Sequence, residues 1–236
     1  MINIKKFLSD ALFPPDFTCD ICGIETFGGN ICPDCLKTLT FNDEHTCPIC
    51  GRKTILPGIC MECKAHIPLF KKAVSPLVYD GGATVLIAKF KNGDGYLSEY
   101  FANLMAEAIK EMPKADGIVY VPMTKKAIVK RGYNQTELLA NSLSKLINVP
   151  VLKDVVIKQK ETDEQKSLSR KERAKNLEGC FKVENTDQIK GKKLLLVDDV
   201  LTTGATADAM CKKLLSAGAD CVYFVTVASV EYKAKN

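Results

Sequence analysis

Two adjacent carboxylates, Asp198 and Asp199, follow the apolar run Leu194-Leu195-Leu196-Val197 and precede Val200-Leu201-Thr202-Thr203-Gly204-Ala205-Thr206. An apolar run of that length reads as a buried strand, and the stretch 207–217 after it reads as a helix. Together they predict a strand that delivers two acids to its C-terminal end, followed by a short loop closing on a helix N-terminus. Backbone N–H groups at a helix start have no intrahelical partners, and the helix dipole adds positive character there. Thr202, Thr203 and Thr206 add hydroxyl donors, Gly204 permits a positive φ, and Ala205 adds no bulk, so segment 202–206 is a candidate cradle for a phosphate. Like charges repel, so the two acids do not serve that anion. They suit the hydroxyls of a sugar diol, or Mg²⁺ held indirectly. The competing reading is a plain strand–turn–helix with Thr203 as N-cap. The phosphate loop G-x-x-x-x-G-K-[S/T] is absent, and so is G-x-G-x-x-G after a strand, which argues against an NTPase or a dinucleotide enzyme.

A second set of residues lies at the other end. Eight of the eleven cysteines form four C-x2-C pairs: Cys19/Cys22, Cys32/Cys35, Cys47/Cys50 and Cys60/Cys63. The gaps between pairs are nine, eleven and nine residues, so the unit C-x2-C-x9-C-x2-C occurs twice. This is the pattern of a repeated zinc ribbon. Gly23 and Gly51 follow the second cysteine of a pair, where the chain must turn back, and Pro33 and Pro48 pre-set turns between cysteines. Four thiolates suit a tetrahedral Zn²⁺ and leave no position open for substrate, so two structural zincs are expected. A disulfide framework and an iron–sulfur cluster are the alternatives. The first ten residues lack a long apolar core, which predicts no secretory leader and a cytoplasmic address, where paired C-x2-C spacings read as metal. Sequential pairing of the knuckles is the simpler arrangement; an interleaved one is open. His45 and His66 lie near cysteines, but both sets of four are complete without them. Cys180, Cys211 and Cys221 stand alone and read as small apolar residues.

The elements that must position these residues can be read in outline. The 236 residues suffice for a small module over 1–70 and an α/β domain over 71–236. The module has too few apolar residues for its own core, so metal must stabilise it. It holds six Lys/Arg against eight Asp/Glu, whereas the whole chain carries +5. That balance argues against a nucleic-acid ribbon and for a scaffold or protein-contact role. No apolar run approaches a membrane span. Residues 7–13 read as a short apolar helix. Beyond residue 70, strands are expected over 73–79, 117–121, 151–157, 193–197 and 221–227, and helices over 83–90, 97–112 and 136–147. Alternating strands and helices predict a parallel sheet, an α/β fold.

Two connections carry further chemistry. Lys125, Lys126 and Arg131 follow the strand at 117–121 and are candidates for meeting a pyrophosphate, with Lys89 and Lys91 behind them; a solvated helix face is the competing reading. Segment 158–173 is rich in both charge signs and too long for an ordinary turn; it reads as an active-site lid bearing Lys166 and Arg173, or equally as a plain surface loop. No residue declares itself as a base for an incoming acceptor.

The segment 194–206 closely resembles the 5-phosphoribosyl-1-pyrophosphate (PRPP) motif of type I phosphoribosyltransferases. With the ribbons ahead of it, the whole chain resembles the competence protein F (ComF) family. The stretches that carry this are Lys89-Phe90-Lys91, Val121-Pro122, Arg131-Gly132-Tyr133-Asn134-Gln135, Thr162-x2-Gln165-x2-Leu168 and Arg173-x2-Asn176-x2-Gly179-x-Phe181. The family's Arg-Gly-Phe-Asn-Gln has Tyr133 here, and Val-Pro-Met stands in place of Val-Pro-Val-Pro. The resemblance implies the type I phosphoribosyltransferase fold, a five-stranded, mainly parallel sheet with helices on both faces. It implies PRPP or another phosphoribosyl ligand bound with Mg²⁺, with Asp198 and Asp199 on the ribose hydroxyls and 202–206 around the 5′-phosphate. Lys125, Lys126 and Arg131 would then neutralise the leaving pyrophosphate. It also implies a role in DNA uptake and natural transformation, on single strands and beside a helicase-like ATPase. Three readings stand: a transferase of unknown acceptor, a single-stranded DNA handling factor reusing the fold, and a PRPP-sensing regulator.

Overall fold

The computed structural model describes residues 18–26, 30–160, 177 and 179–231. The expected helix at 7–13 and most of the expected lid, including Lys166 and Arg173, lie outside them.

The cysteine units come first, each ending in a short helix: α1, Pro33–Leu36, and α2, Met61–Ala65. Then come β1 (Ala73–Val74), β2 (Leu77–Val78), α3 (Gly81–Lys91), α4 (Leu97–Ala108) and β3 (Gly117–Tyr120). They are followed by α5 (Lys125–Arg131), α6 (Gln135–Ile147), β4 (Val156–Lys158) and β5 (Phe181–Val183). The chain closes on β6 (Lys193–Leu201), α7 (Ala205–Ser216) and β7 (Cys221–Ser229).

Among the described residues β1, β2, β7, β6 and β3 make one sheet, every pairing parallel, with β6 and β7 central. β1 and β2 both pair with β7, so the expected strand at 73–79 is a single edge strand interrupted at Ser75-Pro76, where proline has no N–H to give the ladder. Side chains alternate along β6 in two directions. Leu194 and Leu196 pack with Met210 and Leu214 of α7 and with Phe181 of β5. Leu195 and Val197 pack with Phe90 of α3, Phe101 of α4 and Leu139 of α6. A strand buried on both faces is apolar throughout, which is why 194–197 reads as it does.

One expectation needs correction. The strand predicted at 151–157 is not in this sheet as a strand: Val151 makes a single parallel bridge to Ile118, and the chain then turns through Asp154 at φ 56°. Only Val156–Lys158 is strand, and it pairs antiparallel with Phe181–Val183 in a separate hairpin-like sheet. The helix expected over 97–112 ends as α-helix at Ala108.

The two cysteine units lie against opposite faces of the main sheet. Leu39, just after the first unit's last cysteine, joins the cluster built on α3, α4 and α6. Cys47, Cys50, Cys60, Cys63 and Phe70 join the cluster on the α7 side. The longer middle gap carries the chain between the faces along the sheet edge. Phe41 bridges Leu77, Val78 N–H donates to Thr40 at 2.9 Å and Asn42 N–H to Pro76 at 2.9 Å. The Asn42 amide also donates to the Ser75 and Leu77 carbonyls at 2.8 and 3.0 Å, so the edge strand is covered.

Candidate functional site

β6 does not stop at the acids. It runs on to Leu201 in register with β7, pairing Asp198 with Thr226 and Leu201 with Ser229. Both carboxylates therefore sit inside the last turnable stretch of a central strand, and the loop proper is only 202–204 before α7. Successive residues of a strand point to opposite faces, and the partners of the two acids differ accordingly. Asp199 is buried, and its Oδ2 meets the Lys91 ammonium at 3.0 Å and accepts from the Gln135 amide at 3.0 Å. Gln135 in turn accepts from Arg131 Nη1 at 2.6 Å. The chain Arg131–Gln135–Asp199–Lys91 thus joins α5, α6, β6 and α3. Asp198 accepts the Asp199 N–H at 2.9 Å. Burial, and then the neighbouring Asp199 charge, push its carboxyl up to about 8, against the pull of Lys91 and Lys158. Lys91 is held above its ordinary range: burial opposes its charge, but the Asp199 carboxylate and then Asp198 outweigh that. A cation arriving at Asp198 would favour its carboxylate form.

The loop side is built differently. Gly204 caps α7 from the left-handed region, φ 80°, and Thr203 Oγ1 accepts the Ala205 N–H at 3.4 Å. The N-cap is therefore Gly204, not Thr203. Ala205 and Thr206 form the first helical positions, so the N–H groups that open α7 follow directly on the loop 202–204 that leaves the acid-bearing strand.

Of the expected cations, Arg131 reaches the acid network through Gln135. Lys125 and Lys126 lie exposed on the first turn of α5, whose N-cap is Thr124. Lys91, ranked behind them by sequence, is the cation in direct contact with an acid. Gln135 belongs to the stretch Arg131-Gly132-Tyr133-Asn134-Gln135, but an amide carries no charge signal and the sequence does not show its contact with Asp199. Arg52 went unnoticed. It belongs to the second cysteine unit, yet its Nη2 donates to the Thr202 carbonyl of the loop.

The eight cysteines form two tetrads, Cys19/Cys22/Cys32/Cys35 and Cys47/Cys50/Cys60/Cys63, with all four sulfurs of each within 4.8 Å of one another. Pairing is sequential. A tetrahedral zinc with Zn–S of about 2.3 Å needs S···S edges of about 3.8 Å. Cys22 and Cys32 sulfurs stand 3.9 Å apart, and those of Cys50 and Cys60 3.6 Å. All eight are free thiols, at spacings far too long for disulfides. N–H groups of Cys32 and Cys60 point at the Cys19 and Cys47 sulfurs at 3.3 and 3.4 Å, the outer hydrogen bonds that thiolate ligands take. The donor set fits zinc in both units. Among the described residues no helix is long and apolar enough to cross a membrane.

Comparison with known proteins agrees with these two regions. A double zinc ribbon domain model matches residues 8–69, and a phosphoribosyl transferase domain model matches residues 129–236. Competence protein F of Haemophilus influenzae is 30% identical over 145 residues, covering 58% of this chain and 63% of that protein. DNA utilization protein YhgH of Escherichia coli K12 is 35% identical over 107 residues, 45% of this chain and 46% of that one. Competence protein ComFC of Streptococcus pneumoniae is 29% identical over 227 residues, 93% of this chain and 91% of the relative. The chain thus spans less than two thirds of the first two relatives.

Proposed function

Since this chain is a homologue of the competence protein F, ComFC and YhgH proteins, with a double zinc ribbon ahead of a phosphoribosyl transferase domain, we propose that it binds PRPP or a related phosphoribosyl compound with Mg²⁺ and acts in the cytoplasm in the handling of incoming DNA. The observation that carries the ligand is local: two acids on one central strand, one of them buried, with the glycine cap of α7 three residues past the end of that strand. The phosphate takes the N–H groups and hydroxyls of 202–206. The sugar diol takes the carboxylates of Asp198 and Asp199. Asp198, pushed up to about 8 by burial and its neighbour, gains most from a nearby cation; Mg²⁺ bound with the ligand's pyrophosphate would supply one and stabilise charge on that leaving group. Arg131 and Lys91 stand on the same side and add positive charge; Lys125 and Lys126, exposed on α5, are available to a long anion. Holding diol and phosphate at fixed separation orients the anomeric carbon for displacement of pyrophosphate. This supports a transferase whose acceptor the site does not name.

A second reading, a DNA handling factor without turnover, is favoured by α5, which exposes Lys125, Lys126, Val129 and Lys130 together, and by the names of the relatives. Calorimetry of the full chain with PRPP and with ribose 5-phosphate, with and without Mg²⁺, tests the ligand. The double substitution Asp198→Asn, Asp199→Asn should abolish binding with the fold retained by circular dichroism; unchanged affinity removes the assignment. Pyrophosphate release with candidate acceptors separates turnover from binding alone, and a DNA titration that shows no slope against log salt removes the second reading.

A further inference from the structure

We propose that Arg52 is a positioning residue of the sugar-phosphate site, through which the second cysteine tetrad sets the shape and charge of loop 202–206. The inference rests on the reading above and adds to it a dependence of anion binding on one particular metal unit.

Arg52 is placed by the knuckle itself. Gly51 N–H donates to the Cys47 carbonyl at 2.8 Å, and Cys47 N–H donates back to the Arg52 carbonyl at 2.9 Å. These bonds fix the Arg52 backbone one residue beyond the glycine. Its side chain is 5% exposed and crosses to the α/β body, where Nη2 donates to the Thr202 carbonyl. Its Nε is buried and, among the described residues, has no hydrogen-bond partner. Among the described residues Arg52 makes no ion pair with a carboxylate, and Glu62 of α2 lines the same cleft. A guanidinium has five donors, and burying one against a single neutral carbonyl is costly. The cost is offset where an anion approaches the same loop. The cleft that Arg52 shares with Cys50, Cys63, Phe70, Thr203 and Gly204 lies between tetrad and loop.

The same unit holds the far side of the loop. His66 Nε2 stands 3.0 Å from Asp208 Oδ2, and Leu69 N–H donates to Asp208 Oδ1 at 3.0 Å, so the first turn of α7 is tied to the segment after α2. Residues 202 and 208 are therefore both gripped by the second unit. The first unit grips neither: its described contacts run to Tyr96, which donates to Asp20 at 2.5 Å, and to the start of α3 at Gly82. A guanidinium behind the loop also adds to the positive potential of the helix start, where phosphate affinity arises.

Arg52 could instead serve only to balance the thiolate charge of its own tetrad. That role predicts weaker zinc retention and unaltered anion affinity in the zinc-loaded chain. The test is titration of the full, zinc-loaded chain with ribose 5-phosphate by calorimetry, with zinc content measured on every sample. Arg52→Ala and Arg52→Gln should bind about tenfold more weakly or worse at two zinc equivalents, and Arg52→Lys should recover most of the loss, since removal of a charge-assisted contact is being read. Inorganic phosphate should show the same order. If Arg52→Ala loses zinc, Arg52→Gln decides, because it keeps an N–H for Thr202 and gives up the charge. Arg52→Gln binding like the unsubstituted chain at full zinc overturns the proposal. Failure of the unsubstituted chain to bind ribose 5-phosphate would overturn the sugar-phosphate reading and this one with it; binding that survives Arg52→Gln overturns this one alone.

Discussion

Ile24 and Arg52 occupy the same place in the two cysteine units, one residue past the glycine that follows the second ligand. Their backbones match. Cys19 N–H donates to Ile24 at 2.8 Å and Cys47 N–H to Arg52 at 2.9 Å; Thr18 bridges Glu25 as Thr46 bridges Lys53. Their surroundings do not match. Ile24 is 65% exposed, Arg52 is enclosed against loop 202–206. All four cysteines of the second tetrad are buried, whereas Cys22 is exposed and Cys32 half-exposed. Metal chemistry fixes the repeat's backbone; which face of the sheet a unit packs on fixes what the rest of its residues do.

That contrast can be broken most severely at the ligands. Cys63→Ser and Cys22→Ser should each remove one zinc equivalent by elemental analysis. Cys63→Ser should also lower Tm by about 10 °C or more, because its unit shares a core with β6, β7 and α7. Cys22→Ser should cost much less. Equal losses would show that the two units are equally free of the body.

The matched glycines sharpen the comparison. A Cβ at Gly51 would lie 2.6 Å from the Ala73 carbonyl oxygen and 2.8 Å from Val74 Cα, whereas one at Gly23 would meet nothing within 4 Å. Both residues have positive φ, 68° and 74°. Gly23→Ala should therefore cost only the conformational penalty, about 1 kcal/mol. Gly51→Ala must also displace backbone of the edge strand, and about 3 kcal/mol is expected. Chemical denaturation of the two variants reads the difference directly.

The smallest expected contrast is between surface pairs. Lys37–Asp34 at 2.8 Å is an exposed contact within one turn, and Asp34→Ala should leave stability unchanged. His66–Asp208 at 3.0 Å joins two parts of the chain, with Asp208 mostly enclosed, and His66→Ala should cost about 0.5 kcal/mol. Thermal melts of both, at one salt concentration, resolve them.

What the sequence shows, and what it hides, follows the same division between local and distant causes. Tetrahedral thiolate geometry fixes the spacing of cysteines along the chain, so both tetrads were legible. The acids and the loop lie within nine consecutive residues, and the strand, the turn and the helix start could all be read there. Val200 and Leu201, apolar beyond the acids, were the sign that β6 continues. Segment 151–157 is as apolar as a strand, but pairing is decided by partners far away: one bridge to β3, a positive-φ turn at Asp154, then β5. The supports of the site are distant too. Lys91, Gln135 and Arg52 meet it from α3, α6 and a metal knuckle, and Arg52 lies 150 positions from the residue it touches. No local pattern records such a meeting; an arginine after a knuckle glycine, where the sister unit has isoleucine, is the trace that was there to be read.

Lys91 and Asp199 already satisfy one another. On the proposed reading a sugar hydroxyl at Asp199 would either share the carboxylate with this ammonium or replace it, and replacement would make recognition an exchange of partners. The evicted lysine is left on the last turn of α3, next to the vacated acid. A guest that brings its own negative group takes up the loose cation; an uncharged pentose strands it. If the proposed ligand binds here, this one ion pair would favour a pyrophosphorylated sugar over a bare one.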